Sequence, residues 1–283
     1  MSESDFIYDN VDEYLKLGKT ILSPTMYLGA GLQPYWMRAA AYEPVDEAAG
    51  VLTPEDTGKL VESCTTPEQR AELEANGAID FIAESPSGKY HAYIYLQEEG
   101  QLLILMSLHV DVFLKQGVDC KCSDIHLPAA CPPSWRRNGR LQPMWEGAPA
   151  FSREDAKILV ESFLGEREWE RLKELGDVDF AYQNEHGRYR ASVVNQRLGY
   201  DICYRIINSK ILSMKDINLP EEYVVPLTRF TNGLILVTGS VGSGKSTTLA
   251  SIIDFINEDR KDHIITLEDP IEYLHRNQKS IVS

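Results

Sequence analysis

The sequence predicts an α/β protein in which one unit of helices and strands occurs twice in tandem, ahead of the opening of a parallel-sheet domain. Three observations predict it. Shifting the 283-residue chain by 99 positions aligns residues 11–105 with 110–204 without a gap. The apolar run 233–238 leads into a loop with three glycines, and residues 245–257 then show apolar side chains at helical spacing. A second apolar run, 263–267, leads straight into the acidic side chains Glu268, Asp269 and Glu272.

The repeat can be followed residue by residue. V-D-x-Y-L-K-x-G from Val11 meets V-D-x-F-L-K-x-G from Val110, and Pro34, Trp36 and Arg38 meet Pro133, Trp135 and Arg137. L-V-E-S from Leu60 meets the same four residues from Leu159, while Gly77, Asp80 and Phe81 meet Gly176, Asp179 and Phe180. About a quarter of the aligned positions are identical, against the ~6% expected from average composition. Trp36 and Trp135 hold equivalent places and are expected in the two cores. The copies differ at polar positions: Ser123, Asp124 and His126 stand against Pro24, Thr25 and Tyr27, Arg190 against His91, Asn195 against Leu96, and Arg205 against Met106. The first copy has kept its core and discarded a polar face. Residues 1–109 carry 18 acidic and 6 basic side chains, so most of the net charge of −15 sits there. Such a surface suits a basic partner or serves solubility alone, and it argues against nucleic acid.

Turn and breaker signals at 213–220 and 231–233 enclose a short helix and mark a linker. The run 233–238 then reads as a buried strand delivering G-S-V-G-S-G-K-S, Gly239 to Ser246. In that pattern Gly239, Gly242 and Gly244 let the backbone curl until successive N–H groups point at phosphate oxygens, and the following helix N-terminus adds partial positive charge. Ser240, Val241, Ser243 and Thr247 complete the expected nucleotide-binding stretch. Lys245 would reach the β- and γ-phosphates, and the Ser246 hydroxyl would ligate Mg²⁺. Carboxylates at the carboxyl end of the 263–267 strand would lie beside that loop, holding the hydration shell of the metal or orienting an attacking water. Asp269-Pro270 forces a turn there. The alternative for this cluster is an acidic helix start that serves only the helix dipole.

These motifs resemble those of the type II/type IV secretion ATPase superfamily, most of all the pilus-retraction (twitching motility) ATPases. The resemblance rests on G-L-I-L-V-T-G-S-V-G-S-G-K-S-T-T-L-A from Gly233 and on I-I-T-L-E-D-P-I-E-Y-L-H from Ile264, which corresponds to the aspartate box of that family. It extends upstream through Ser123-Asp-Ile-His-Leu, Pro132-Pro133, Arg136 or Arg137, Gly139, Leu141, Arg188-Tyr-Arg190, Asn195-Gln196 and Arg205-Ile-Ile-Asn-Ser-Lys210, covering about residues 110–283. It implies a PAS-like domain followed by a RecA-like ATPase domain, assembled as a homo-oligomeric hexamer that converts ATP hydrolysis into movement of an inner-membrane pilus or secretion platform protein. On the resemblance, Lys245 and Glu268 are catalytic, Ser246 and Glu268 serve the metal, the latter through water, and Arg190 and Arg205 reach nucleotide from the PAS-like domain. The domains expected are a diverged PAS-like copy at 1–108, a PAS-like domain at 109–212, a linker at 213–232, and the first part of the ATPase domain at 233–283.

In that family the Walker B segment, histidine box and C-terminal helices lie beyond the aspartate box, so the chain reads as a truncated piece that binds Mg·ATP weakly and turns it over negligibly. A type II secretion or pilus-extension ATPase is the nearest alternative, and a non-catalytic nucleotide-binding assembly subunit another. The most apolar run, 102–108, is far shorter than the roughly 20 residues of a membrane span, and the N-terminus does not resemble a signal peptide. A cytoplasmic protein is expected, peripheral at the inner membrane through partners. Five cysteines fit a reducing compartment. Cys120, Cys122, His126 and Cys131 form a C-x-C-x₃-H-x₄-C cluster whose first spacing is unusual for zinc. His109, His186, His263 and His275 are expected at the surface or at strand edges.

Overall fold

The computed structural model describes residues 7–38, 41–47, 49–207, 210–240, 242–268 and 271–283. Nine elements occur in order in the first hundred residues and recur in the same order in the second. The first set is α1 Val11–Ile21, β1 Thr25–Gly29, β2 Tyr35–Arg38, β3 Ala41–Pro44, α2 Pro54–Cys64, α3 Pro67–Asn76, β4 Ala78–Ser85, β5 Gly88–Gln97 and β6 Gly100–Ser107. The second is α4 Val110–Asp119, β7 Asp124–Pro128, β8 Ser134–Arg137, β9 Arg140–Pro143, α5 Arg153–Glu161, α6 Glu166–Leu175, β10 Asp177–Asn184, β11 Gly187–Gln196 and β12 Gly199–Ile207. Each second element begins 99 residues after its counterpart. The strands order as β3-β2-β1-β6-β5-β4 and as β9-β8-β7-β12-β11-β10, so the two six-stranded sheets share one topology.

Local chemistry sets these boundaries. Thr53 and Asp56 close a reciprocal capping box over the start of α2, Ser152 and Asp155 do the same for α5, and Pro54 and Pro67 occupy first-turn positions where no N–H is needed. The repeated glycine of the V-D-x-Φ-L-K-x-G motif answers a close approach of helix to strand: a Cβ on Gly117 would stand 2.2 Å from Ile125 Cδ1, and one on Gly18 would stand 3.2 Å from Met26 Cε. The cores repeat as well. Tyr14, Leu28, Trp36, Leu60 and Tyr90 are buried in the first, Phe113, Leu127, Trp135, Leu159 and Tyr189 in the second.

The chain divides into two compact units. One holds both sheets apart from residues 180–183 and 187–190; the other takes those residues and 207–283. The latter contains α7 Glu221–Leu227, α8 Lys245–Asp259 and a two-stranded parallel sheet of β13 His263–Ile264 with β14 Ile281–Val282. Asn257, fully buried near the end of α8, donates to the Arg276 carbonyl and accepts from the Gln278 N–H, fastening the segment after 275 to the helix.

Here the expected buried strand at 233–238 is corrected. Residues 233–239 form no strand, and Leu234 and Leu236 are 82% and 73% exposed. A parallel strand needs neighbours on both edges and cover on both faces, and among the described residues no segment pairs with this run. The parallel pairing falls instead between β13 and β14, and the strand expected at 263–267 is confined to His263 and Ile264. The proposed turn at Asp269-Pro270 lies outside the described residues, as do Asn208 and Ser209.

Candidate functional site

The glycine loop and the acidic segment belong to the unit that contains α8. The backbone adopts left-handed conformations at Gly242 (φ 76°) and Gly244 (φ 90°), where a side chain would be strained. Gly244 is the residue before α8, so the loop ends on a helix N-terminus whose first N–H groups have no acceptor within the helix. At Gly239 a Cβ would stand 2.5 Å from Ser243 Oγ, so a side chain there would displace that hydroxyl. Val241 lies outside the described residues. Lys245, the first residue of α8, turns its ammonium back over the loop and donates to the carbonyls of Gly239 at 3.0 Å and Ser240 at 2.8 Å. Tight glycine turns, a helix N-terminus and a lysine over the same loop are the donor set that a phosphate group needs, and the residues present fit one.

Beside α8 lies a cleft of about 370 Å³. Ser246, Leu249 and Ala250 line it from the helix, and Leu267, Glu268 and Glu272 line it from the acidic segment. Two residues separated by 22 positions in the chain, Ser246 and Glu268, thus face one space. Glu268 Oε2 also accepts the Glu272 N–H at 3.1 Å, so this carboxylate holds a backbone group of its own segment as well as lining the cleft. Thr247 Oγ1 and Tyr273 OH are 3.0 Å apart and tie helix to acidic segment; nothing in the sequence singled out Tyr273. His275, expected at the surface, has a side chain only 3% exposed, because the segment folds back on α8 and brings its ring to 3.7 Å from Asp254. His186 is also mostly covered, with its side chain 11% exposed.

The two arginines fall in different units. Arg190 is exposed on β11. Arg205, on β12, lies across the ladder from Asp124 and donates through Nε to Asp124 Oδ1 at 3.0 Å. Arg136 Nε is 3.4 Å from the other oxygen, which also accepts from Ser123 Oγ at 2.8 Å. Burial pushes the Asp124 carboxyl up, but the hydrogen bonds from Ser123 and Arg205 outweigh it and hold the group below the usual carboxylate range. Beside it, burial pushes the His126 imidazole below its ordinary value. Asp124 was visible in the motif, but its role as the anchor of Arg205 was not, since the two are distant in sequence. Among the described residues no group of His, Cys, Asp or Glu gathers as a metal site would require; Cys120 and Cys122 are buried and Cys131 is exposed. A larger cavity, about 630 Å³, lies in the other unit, walled by Leu15, Met26 and Tyr90 of the first copy and Val112 and Ile158 of the second, and is lined by no residue of the glycine loop or the acidic segment.

Comparison with known proteins agrees with this geometry. Residues 108–282 match the family described as Type II/IV secretion system protein. The chain is 37% identical over 177 residues to the uncharacterised protein YggR of Escherichia coli K12, a match covering 62% of this chain and 52% of that one. It is 34% identical over 170 residues to the type IV pilus retraction ATPase PilT of Pseudomonas aeruginosa PAO1, covering 60% and 47%. Among solved structures, the pilus retraction motor PilT with bound ADP superposes with a TM-score of 0.59 at 38% identity, covering 62% of this chain and 51% of that one. The chain spans about half the length of these relatives. The fold is accordingly that of tandem PAS-like domains followed by part of a RecA-like ATPase domain. With the family matched over more than half its length, the chain belongs to the type II/IV secretion system protein family.

Proposed function

We propose that this protein is an ATP-binding and hydrolysing subunit of a hexameric ring that drives type IV pilus retraction, and that residues 1–283 alone turn ATP over negligibly. The observation that carries this reading is the cleft shared by Ser246 and Glu268 at the end of the glycine loop. The domains are a diverged PAS-like copy at 1–108, a PAS-like domain at 109–212, a linker at 213–232 and the ATPase portion from 233. The N–H groups of residues 239–247 bind the phosphates of ATP, and Lys245 exchanges its bonds to Gly239 and Ser240 for phosphate oxygens. The Ser246 hydroxyl holds Mg²⁺, and the Glu268 carboxylate orients water in the same cleft. Bound Mg²⁺ supplies neutralisation of the charge that develops on the phosphates. Arg190 and Arg205 add positive charge from the PAS-like domain, Arg205 being held in position by Asp124. Negligible turnover by this stretch follows from the exposure of Leu234 and Leu236: the segment that precedes the loop lacks the sheet that would hold it rigid.

Among the relatives is a pilus retraction ATPase, which supports a partner in the inner-membrane pilus platform and a cytoplasmic ring peripheral to that membrane. The joint description of the family keeps a type II secretion or pilus-extension motor as the second reading. The test is the ATPase rate of the full-length protein beside Lys245→Ala, with light scattering on the same samples. Lysine-dependent turnover in a hexamer is expected. Oligomers without turnover would replace the motor with a non-catalytic assembly subunit.

A further inference from the structure

The first copy meets the second through side chains that the second copy does not share. His91, on β5 where the second copy has Arg190, is 4% exposed, and its Nδ1 lies 2.8 and 2.9 Å from the two oxygens of Asp155. Asp155 is fully buried at the start of α5 in the second copy. The other ring nitrogen, Nε2, is 3.0 Å from Asp80 Oδ2, on β4 of the first copy. Tyr93 stacks on the ring with centroids 4.2 Å apart and planes 9° apart. Around it, Tyr27 OH accepts from Trp145 Nε1 at 3.2 Å, and Tyr42 OH donates to the Glu146 carbonyl at 3.0 Å. Tyr27 stands where the second copy has His126, and Tyr42 where it has Leu141. The contact is therefore head to tail: the sheet face of one copy receives the start of α5 and the loop that leads into it from the other.

We propose that a protonated His91 is the tie that fastens the first copy to the second, making the discarded polar face of the first copy a docking surface for its own duplicate. The argument is one of donors and acceptors. Carboxylates only accept, so an imidazole with carboxylates at both nitrogens must donate from both and carry a positive charge. A proton shared with Asp155 belongs on the ring, because Asp155 Oδ2 already accepts the Ser152 N–H at 2.7 Å and the N-terminus of α5 stabilises a carboxylate there. The titratable groups facing the ring are Asp80 from β4, Tyr93 from β5 and Asp155 from α5; its partner on β6 in the ladder is Met106, which carries no charge. An arginine at this position would fill the space with a longer side chain and a permanent charge. Histidine makes the tie reversible by one proton.

The linkage follows. Burial pushes the His91 imidazole down, but the hydrogen bonds and charges of Asp155 and Asp80 outweigh it and raise it above its ordinary value near 6.5. A group with a raised folded-state value contributes its full stability below 6.5 and loses it as pH rises through the folded value, by up to about tenfold in the folding constant per pH unit. The test uses the whole chain in two measurements. Long-range ¹H–¹⁵N NMR followed from pH 5 to 9 should show both nitrogens of His91 protonated up to a midpoint above 6.5; a midpoint at or below 6.5 would overturn the proposal without any mutation. Thermal melts of the wild type from pH 6 to 9, set beside His91→Gln, should show a decline with pH that the variant lacks. Equal pH dependence in both proteins would also overturn it.

Discussion

Gly117 leaves less room for a side chain than Gly18, its equivalent in the first copy, and the pair separates two kinds of crowding. The obstacle to a Cβ there is the branched, buried side chain of Ile125, at 2.2 Å; at the equivalent Gly18 it is the flexible tip of Met26, at 3.2 Å. Gly117→Ala should therefore cost roughly 1–3 kcal/mol, as other overpacked cores do, and Gly18→Ala much less. Urea unfolding of the two variants measures the difference, and equal losses would show that the helix shifts freely on both sheets. Asp124 is the second informative residue. It is buried, it holds Arg205 and Arg136, and its carboxyl is kept below the usual range by the bonds it accepts, once those have outweighed its burial. Its contribution is present above the ordinary value of 3.8 and is lost as pH falls through the lower folded value. Asp124→Asn should destabilise by about 1–3 kcal/mol at neutral pH and remove part of the acid sensitivity below pH 4, read from urea titrations at several pH values. At this scale the turns of the glycine loop were legible at Gly242 and Gly244, which both adopt left-handed backbone. The Asp124–Arg205 pair was not, because residues 81 positions apart meet only through strand pairing.

Helices α2 and α5 offer a controlled comparison between elements. Both begin with the same reciprocal capping box, Thr53 with Asp56 and Ser152 with Asp155. Thr53→Ala should cost about 1 kcal/mol, the ordinary worth of an N-cap. Ser152→Ala should cost more, because the Ser152 hydroxyl accepts the Asp155 N–H and so orients a buried residue whose carboxylate, held by the Ser152 N–H, also receives His91. Parallel melting curves test this, and an equal loss in the two variants would mean that His91 and the Ser152 N–H hold Asp155 in place without the hydroxyl. Capped helices and hairpin strands of this kind are readable from sequence because their signals lie within a few residues of one another. The run at 233–238 misleads for the opposite reason. It has the composition of a buried parallel strand, but such a strand is defined by neighbours on both sides, and composition alone supplies none.

Across the whole molecule, the 99-residue repeat was legible and the union of the copies was not. Identity between the copies reports the shared core, whereas the union depends on His91, Tyr27 and Tyr42, the positions where the copies differ. The first unit therefore has two cores, the greater part of both sheets and a seam between the copies tied by the His91–Asp155 and Tyr27–Trp145 hydrogen bonds. The second unit holds a single long helix, a two-stranded sheet and apolar side chains facing solvent, Leu267 among them at 96% exposed. Local opening is governed by buried apolar contact, so the two units should differ widely in their resistance to protease. Limited trypsin treatment of residues 1–283 should cut first after Lys210, Lys215 or Arg229, in the segment that joins β12 to the glycine loop. The core fragment, identified by mass spectrometry, should contain both copies and end just beyond residue 207. First cleavage at the start of the second copy, after Lys115 in α4 or Lys121 just beyond it, would instead mean that the His91 seam opens as readily as the linker, and that the duplicated domains move independently.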